Sequence, residues 1–212
     1  MSMTSDARFW DRASRKYAMG AVADQAGYER TLDRTRALLG RGDRVLELGC
    51  GTGTSALLLA DHVKTYLATD FSVRMIAIAD EKHAAAPVAN LVFKVATAEM
   101  LASEATRFDA VLGFNYLHLV RDLPGTLRSI HALLAADGLF ISKTPCVGDM
   151  NPFIRFALLP GMRMIGKAPY AGVFRAEELS RHISAAGFDI LATESHASTG
   201  NEARPFIVAR KA

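Results

Sequence analysis

Val45-Leu46-Glu47-Leu48-Gly49-Cys50-Gly51-Thr52-Gly53 is the stretch whose reading decides the fold. Arg44 to Leu48 reads as a short buried strand, and an apolar helix from about Gly53 to His62 follows it. Three alternating glycines between them let the backbone turn tightly and approach a ligand with no Cβ in the way. The helix behind the turn starts with backbone N–H groups that have no partner within the helix. In open α/β sheets such a turn lies at the carboxyl end of a strand, where the ligand crevice opens. The spacing separates this turn from a dinucleotide fingerprint, which needs G-x-G-x-x-G with its third glycine at position 54, here Thr54. Glu47 stands within the motif, where it would repel a pyrophosphate but favour an ammonium, directly or through water. No lysine follows the turn, as a phosphate loop would require. The motif calls for a cationic ligand without phosphate.

The same alternation of short apolar strands and amphipathic helices runs outward in both directions. Upstream, residues 5–17 and 22–39 read as helices. Downstream, strands are expected at Thr65 to Thr69, Leu91 to Val95, Phe108 to Phe114 and Gly138 to Lys143, with helices at Val73 to His83 and near Leu123 to Leu134. Strand–helix alternation at this spacing implies right-handed βαβ units and a parallel sheet covered on both faces. After a helix at about Ala176–Ala186 the pattern changes. Phe188 to Glu194 and Pro205 to Arg210 are strands with no helix between them, so an antiparallel pair is expected at one edge.

Candidate ligand residues fall at strand ends. Tyr66-Leu67-Ala68-Thr69-Asp70 ends in a carboxylate able to accept both hydroxyls of a ribose. Phe71, Ser72 and Met75 follow and can wall an adenine; Thr97, Ala98 and Glu99 come after the third strand, near where its amino group would lie. Asn115, Tyr116, Leu117 and His118 follow the fourth strand, and His118 is open to two readings, a base or an orienting group. His62, His83 and His196 show no metal spacing with anything, and His131 and His182 read as solvated or capping side chains.

Glu-x-Gly-x-Gly-x-Gly, the Asp70 strand end, Phe108-Asp109-Ala110-Val111 and the terminal Gly187-Phe188 hairpin together resemble class I S-adenosylmethionine-dependent methyltransferases. More narrowly, the chain is similar to the small-molecule "type 11" group that includes quinone-ring methyltransferases. The resemblance spans roughly residues 5–212. It implies a three-layer, doubly wound, Rossmann-like α/β fold with seven strands in the order 3-2-1-4-5-7-6, strand 7 antiparallel. It implies S-adenosylmethionine as cofactor and S-adenosylhomocysteine as product. By the same resemblance, Glu47 and Gly49 to Gly53, including Cys50 and Thr52, surround the methionine moiety. Asp70 would hold the ribose, with Ala98 and Glu99 by the adenine and Asn115 under the sulfonium. Tyr17 matches a tyrosine of an N-terminal helix that covers the cofactor. The catalytic candidates are then Asn115, Tyr116 and His118. Many relatives carry an Asp where Thr97 or Ala98 stands, so the adenine contact would rest on backbone groups and Glu99.

Composition narrows the alternatives. With 25 basic against 22 acidic residues the net charge is +3, too small a surplus to imply a nucleic-acid partner. Two cysteines, Cys50 and Cys146, make neither a disulfide framework nor a zinc site, and no apolar run reaches the length of a membrane span. A reducing cytoplasm is the expected setting. One domain over residues 1–212 is expected, with a helical cap at 1–40 and a lid or acceptor pocket at 145–175. That segment mixes apolar residues (Phe153, Ile154, Phe156, Leu158, Leu159, Met162, Met164, Ile165) with Arg155, Arg163 and Lys167, and reads equally as a core helix broken at Pro160-Gly161. A membrane-surface helix that fetches an oily acceptor is a third reading. The alternatives to methyl transfer are an NAD(P)-dependent oxidoreductase and a cofactor-binding module without turnover.

Overall fold

Short runs of branched and aromatic residues, closed by glycines and capped helices, lay down a single sheet. In a computed structural model that describes residues 3–153, 156, 158, 161–162, 168–199 and 203–212, seven strands hydrogen-bond in the order β3-β2-β1-β4-β5-β7-β6. They are β1 (Arg44–Leu48), β2 (Thr65–Asp70), β3 (Leu91–Val95), β4 (Phe108–Phe114), β5 (Leu134–Lys143), β6 (Phe188–Glu194) and β7 (Phe206–Lys211). The first five pair in parallel, and β7 runs antiparallel to both β5 and β6. The helices are α1 (Met3–Ala18), α2 (Gln25–Leu38), α3 (Thr54–Leu59), α4 (Val73–Ala85), α5 (Ala98–Ala102), α6 (Leu123–Leu133) and α7 (Ala176–Ala185).

Period-2 alternation along each buried strand supplies two cores. Leu46 and Leu48 of β1 face one of them with Val111, Leu127, Ile130, Phe140 and Ile183, beneath α5, α6 and α7. Val45 faces the other with Leu32, Leu59, Tyr66, Leu112 and Phe206, beneath α2 and α3. The helix starts follow from short polar side chains that hold the first free N–H groups. Asp24 accepts from Gly27 N, Ser72 from Met75 N, Thr97 from Met100 N and Asp122 from Gly125 N.

The strand bounds match the sequence reading closely, with one substantive difference. β5 begins at Leu134 rather than Gly138, because Leu134 pairs with Phe108 before the register shifts and resumes at Ala110↔Leu139. Asp137, at φ 59, carries the intervening kink. The helix α5 is an addition: Ala98 and Glu99 lie in it, not in an extended loop. Of the 145–175 segment, Ile154, Arg155, Leu159, Pro160, Arg163, Met164, Ile165 and Lys167 lie outside the described residues. No helix among the described residues is long and apolar enough to cross a membrane.

Candidate active site

The carboxyl ends of β1, β2, β3, β4 and β5 converge on one cavity of about 1020 Å³. Leu48, Gly49 and Gly51 bring the first turn to it, Asp70 the second, Ala96 and Thr97 the third, Phe114 and Asn115 the fourth and Pro145 the fifth. That is where an open α/β sheet places its ligand. Helix α1 lies along the mouth, contributing Asp6, Trp10 and Tyr17. It is tied down at two points. Ser72 Oγ donates to Asp11 Oδ1 at 2.6 Å, and Arg121 donates to both oxygens of Asp6 at 2.7 and 3.0 Å.

Gly49, Gly51 and Gly53 all adopt positive φ, at 67°, 55° and 75°. A Cβ at Gly49 would lie 2.6 Å from the Tyr116 ring, and one at Gly53 would lie 2.6 Å from Phe93 and 2.9 Å from the Ala79 Cβ. So Gly49 lets Tyr116 cover the turn, while Gly53 lets the turn settle onto β3 and α4. A Cβ at Gly51 would meet only Tyr17, at 3.5 Å, on the open side.

Asp70 is 7% exposed and its two oxygens accept from Gly51 N at 3.1 Å and Ser72 N at 2.8 Å. Burial still raises its pKa, against those two hydrogen bonds. Glu99 also lines the cavity and accepts from Thr126 Oγ1 at 2.6 Å, which fixes its carboxylate between α5 and α6. Tyr17 lies near enough to Asp70 for that carboxylate to add to the burial that raises the phenol's pKa. At the other end, Asn115 turns the chain out of β4 at φ 52, a left-handed conformation that Asn tolerates. Tyr116 and His118 then face the cavity, with His118 opening a 3-10 turn at its second residue (Leu117–Leu119). Burial, and secondarily Arg204, lowers the His118 pKa to about 4, so its ring is neutral at pH 7.

The cavity thus gathers Tyr17, Gly49, Gly51, Asp70, Phe71 and Met75 of the sequence candidates, and with them Thr97, Glu99, Asn115, Tyr116 and His118. Glu47, Cys50, Thr52, Gly53, Ser72 and Ala98 stand behind its walls. Glu47 is 2% exposed and accepts a hydrogen bond from Tyr66 Oη at 2.9 Å, because strand alternation turns it away from Leu48 and the cavity. Thr52 Oγ1 accepts from Lys82 Nζ at 2.9 Å; Ser72 caps α4; Ala98 is fully buried in the core. Burial, with the nearby Glu47 and Asp70 carboxylates, pushes the Cys50 thiol's pKa up, away from the thiolate form a nucleophile needs.

Sequence reasoning missed Asp6, Trp10, Arg121 and Arg204, all cavity-lining. No local motif marks them, since each reaches the site through tertiary packing. The one sequence signal nearby was the helix read at residues 5–17, and that says nothing of what the helix packs against.

The donor set suits a particular ligand. Around the glycine turn the cavity offers backbone, aromatic rings and the carboxylates of Asp70 and Glu99, while its arginines (121, 128 and 204) come from other elements. Such a lining accepts a cation and a ribose, and no residue of Gly49–Gly53 brings a basic side chain to it. The features therefore fit S-adenosylmethionine. Among the described residues no cluster of His, Cys, Asp or Glu could hold a metal ion.

Comparison with known proteins agrees. A family profile described as a methyltransferase domain matches residues 19–193, most of the chain. The ubiquinone biosynthesis O-methyltransferase of Methylocella silvestris is 31% identical over 150 residues, 68% of this chain and 57% of that protein. The chain therefore spans little more than half the length of that relative. Magnesium protoporphyrin IX methyltransferase from Synechocystis, solved with S-adenosylhomocysteine bound, superposes with TM-score 0.70 at 20% identity, over 98% of this chain and 95% of that one. An S-adenosylmethionine-dependent methyltransferase from Mesorhizobium loti gives 0.69 at 21% identity, over 88% and 98%. By its sequence profile the chain belongs to the methyltransferase-domain family, and its sheet order is that of the solved methyltransferases it superposes on.

Proposed function

We propose that the protein transfers a methyl group to a small, apolar or aromatic acceptor, and that the cavity over the glycine turn holds both reactants. The observation that carries this reading is the pairing of an open, positive-φ glycine turn with the buried carboxylate of Asp70, one strand away, at a cavity of about 1020 Å³. That volume is at the upper end for one small ligand and leaves room for two.

When bound, the cofactor supplies an activated methyl group on a leaving group that departs as a neutral thioether. The chain's own residues then have to bind, align and exclude water. Asp70 accepts from the ribose hydroxyls while its backbone donors hold it in place. Gly49 and Gly51 admit the methionine end. Phe71, Met75, Thr97 and Glu99 bound the adenine, and Tyr17 and Trp10 close the site from α1. Cys50, Thr52, Gly53, Ser72 and Ala98 shape these walls from behind, and Glu47 reaches the ligand's ammonium only as a charge through the turn. Asn115, Tyr116 and His118 face the acceptor. Alignment of two reactants in such a site can contribute roughly 7–11 kcal/mol toward the barrier. The ubiquinone biosynthesis O-methyltransferase relatives and the apolar lining (Phe114, Leu119, Val120) favour an aromatic acceptor.

Asp70→Ala tests the ribose role. The variant is expected to fold and to bind S-adenosylhomocysteine about 10- to 100-fold more weakly by calorimetry, the loss of charge-assisted hydrogen bonds worth about 1–3 kcal/mol. Unchanged affinity in the folded variant sinks the assignment.

A further inference from the structure

The last element of the chain brings a cation to the acceptor end of the cavity, and this inference rests on the reading of that end given above. Beyond β5 the backbone continues beside the segment that leads into β7. Thr144 N donates to Pro205 O, and Cys146 N donates to Ala203 O. Ala203 and Pro205 are buried, so alternation puts the Arg204 side chain on the opposite side, where it is exposed and lines the cavity. Its neighbour in the wall, Arg121, is already neutralised by Asp6 and stacked over Tyr170 at 4.5 Å. Arg204 has no carboxylate partner among the described residues. Arg128 has none either, but it belongs to α6, by Ser129 and Ala132. Arg204 is close enough to His118 to act on it electrostatically.

The His118 ring completes the site. Its Nδ1 is buried without a hydrogen-bond partner and the residue lines the cavity, which leaves Nε2 as the ring nitrogen able to meet a ligand. A buried N–H left without an acceptor forfeits the hydrogen bond it had to water, and a bare ring nitrogen, a weaker demand, is the better group to bury. The neutral ring therefore carries its proton on Nε2 and presents a donor to the cavity. With the proton there, Nε2 cannot serve as a base. A guanidinium and an imidazole N–H from two different elements then converge on one end of the site.

We infer that Arg204 and the Nε2–H of His118 together bind an anionic oxygen of the acceptor, so that the acceptor is an acid ionised at neutral pH (a carboxylate or an acidic phenol) and His118 acts as a donor that positions it. An acceptor that arrives ionised requires no general base, which accounts for a cavity whose only histidine offers the wrong tautomer for one.

Two measurements on the protein loaded with S-adenosylhomocysteine test this. Two-bond ¹H–¹⁵N correlation of the histidine rings reads the tautomer of His118, identified by its loss in His118→Phe. Titration with benzoate, pentafluorophenolate and the uncharged isostere benzamide reads the site's preference for charge. The expected results are the Nε2–H tautomer, both anions binding at least about 10-fold more tightly than benzamide, and that preference lost in Arg204→Gln but partly kept in Arg204→Lys. An Nδ1–H tautomer overturns the inference, as do equal binding of benzoate and benzamide or an anion preference that survives Arg204→Gln. Binding of S-adenosylhomocysteine, followed in the same samples, keeps the two readings apart. If it binds normally while the anions fail, only the anion site falls; if it fails to bind, the proposed function falls first.

Discussion

Replacing Gly53 by alanine is expected to destabilise the protein by about 2–5 kcal/mol, among the largest losses any single methyl group could cause here. Two costs combine. At φ 75° an L-residue is strained, by about 1–2 kcal/mol. The new Cβ would also lie 2.6 Å from Phe93 and 2.9 Å from the Cβ of Ala79, and overpacking of this kind costs about 1–3 kcal/mol. The Phe93 contact is with the tip of its half-buried ring, which can give way, but Ala79 is fully buried on α4 and its Cβ cannot. Urea unfolding measures the loss as a shift in midpoint. Gly42→Ala is the control, because a Cβ there meets nothing within 4 Å and φ is ordinary; it should shift stability by less than about 0.5 kcal/mol. A Gly53→Ala midpoint as close to wild type as the control's would mean that the turn is looser than described.

The second large effect is a pH dependence carried by Glu47. Burial is the main cause that lifts its carboxyl from the ordinary 4.5 to about 7; the Tyr66 hydroxyl opposes this and the Asp70 charge adds to it. A carboxyl whose folded pKa lies above its unfolded one binds its proton more tightly in the native state. Its contribution to stability is therefore complete below about pH 4.5 and is lost as pH rises through about 7. The difference amounts to about 3 kcal/mol between those limits. Glu47→Gln keeps an oxygen for Tyr66 Oη and cannot ionise. Between pH 5 and pH 8 the wild type should lose stability relative to this variant, with the variant the more stable by about 1–3 kcal/mol at pH 8. Urea unfolding of the ligand-free proteins at the two pH values supplies the comparison, and parallel pH profiles would mean that Glu47 is solvated.

Glu47 also marks the limit of what the sequence discloses. The strand ends were legible because buried strands, glycine turns and capping residues are local signals, whereas the sheet order followed only from the family resemblance. β1, β3, β4 and β6 begin and end where the apolar runs do. The glycine spacing and Asp70 were legible for the same reason, each being tied to a strand end. The direction of the Glu47 side chain was not, because a strand buried on both faces carries no polar alternation from which to read its facing. Its partner, Tyr66, comes from β2, one strand over. Arg204 was hidden differently. Nothing within Ala203-Arg204-Pro205 suggests a ligand; the residue reaches the cavity only because the segment pairs beside Thr144–Cys146. Helix α5 escaped notice because five residues give no periodicity to read.

The most direct test of the central claim is a calorimetric titration of the purified protein with S-adenosylhomocysteine, with NADH run in parallel. The glycine spacing, the buried Asp70 and the lack of any basic residue within Gly49–Gly53 predict binding of S-adenosylhomocysteine near micromolar strength, about −8 kcal/mol, with no heat from NADH. Binding of NADH in preference to S-adenosylhomocysteine would contradict the account and make the cavity a dinucleotide cleft.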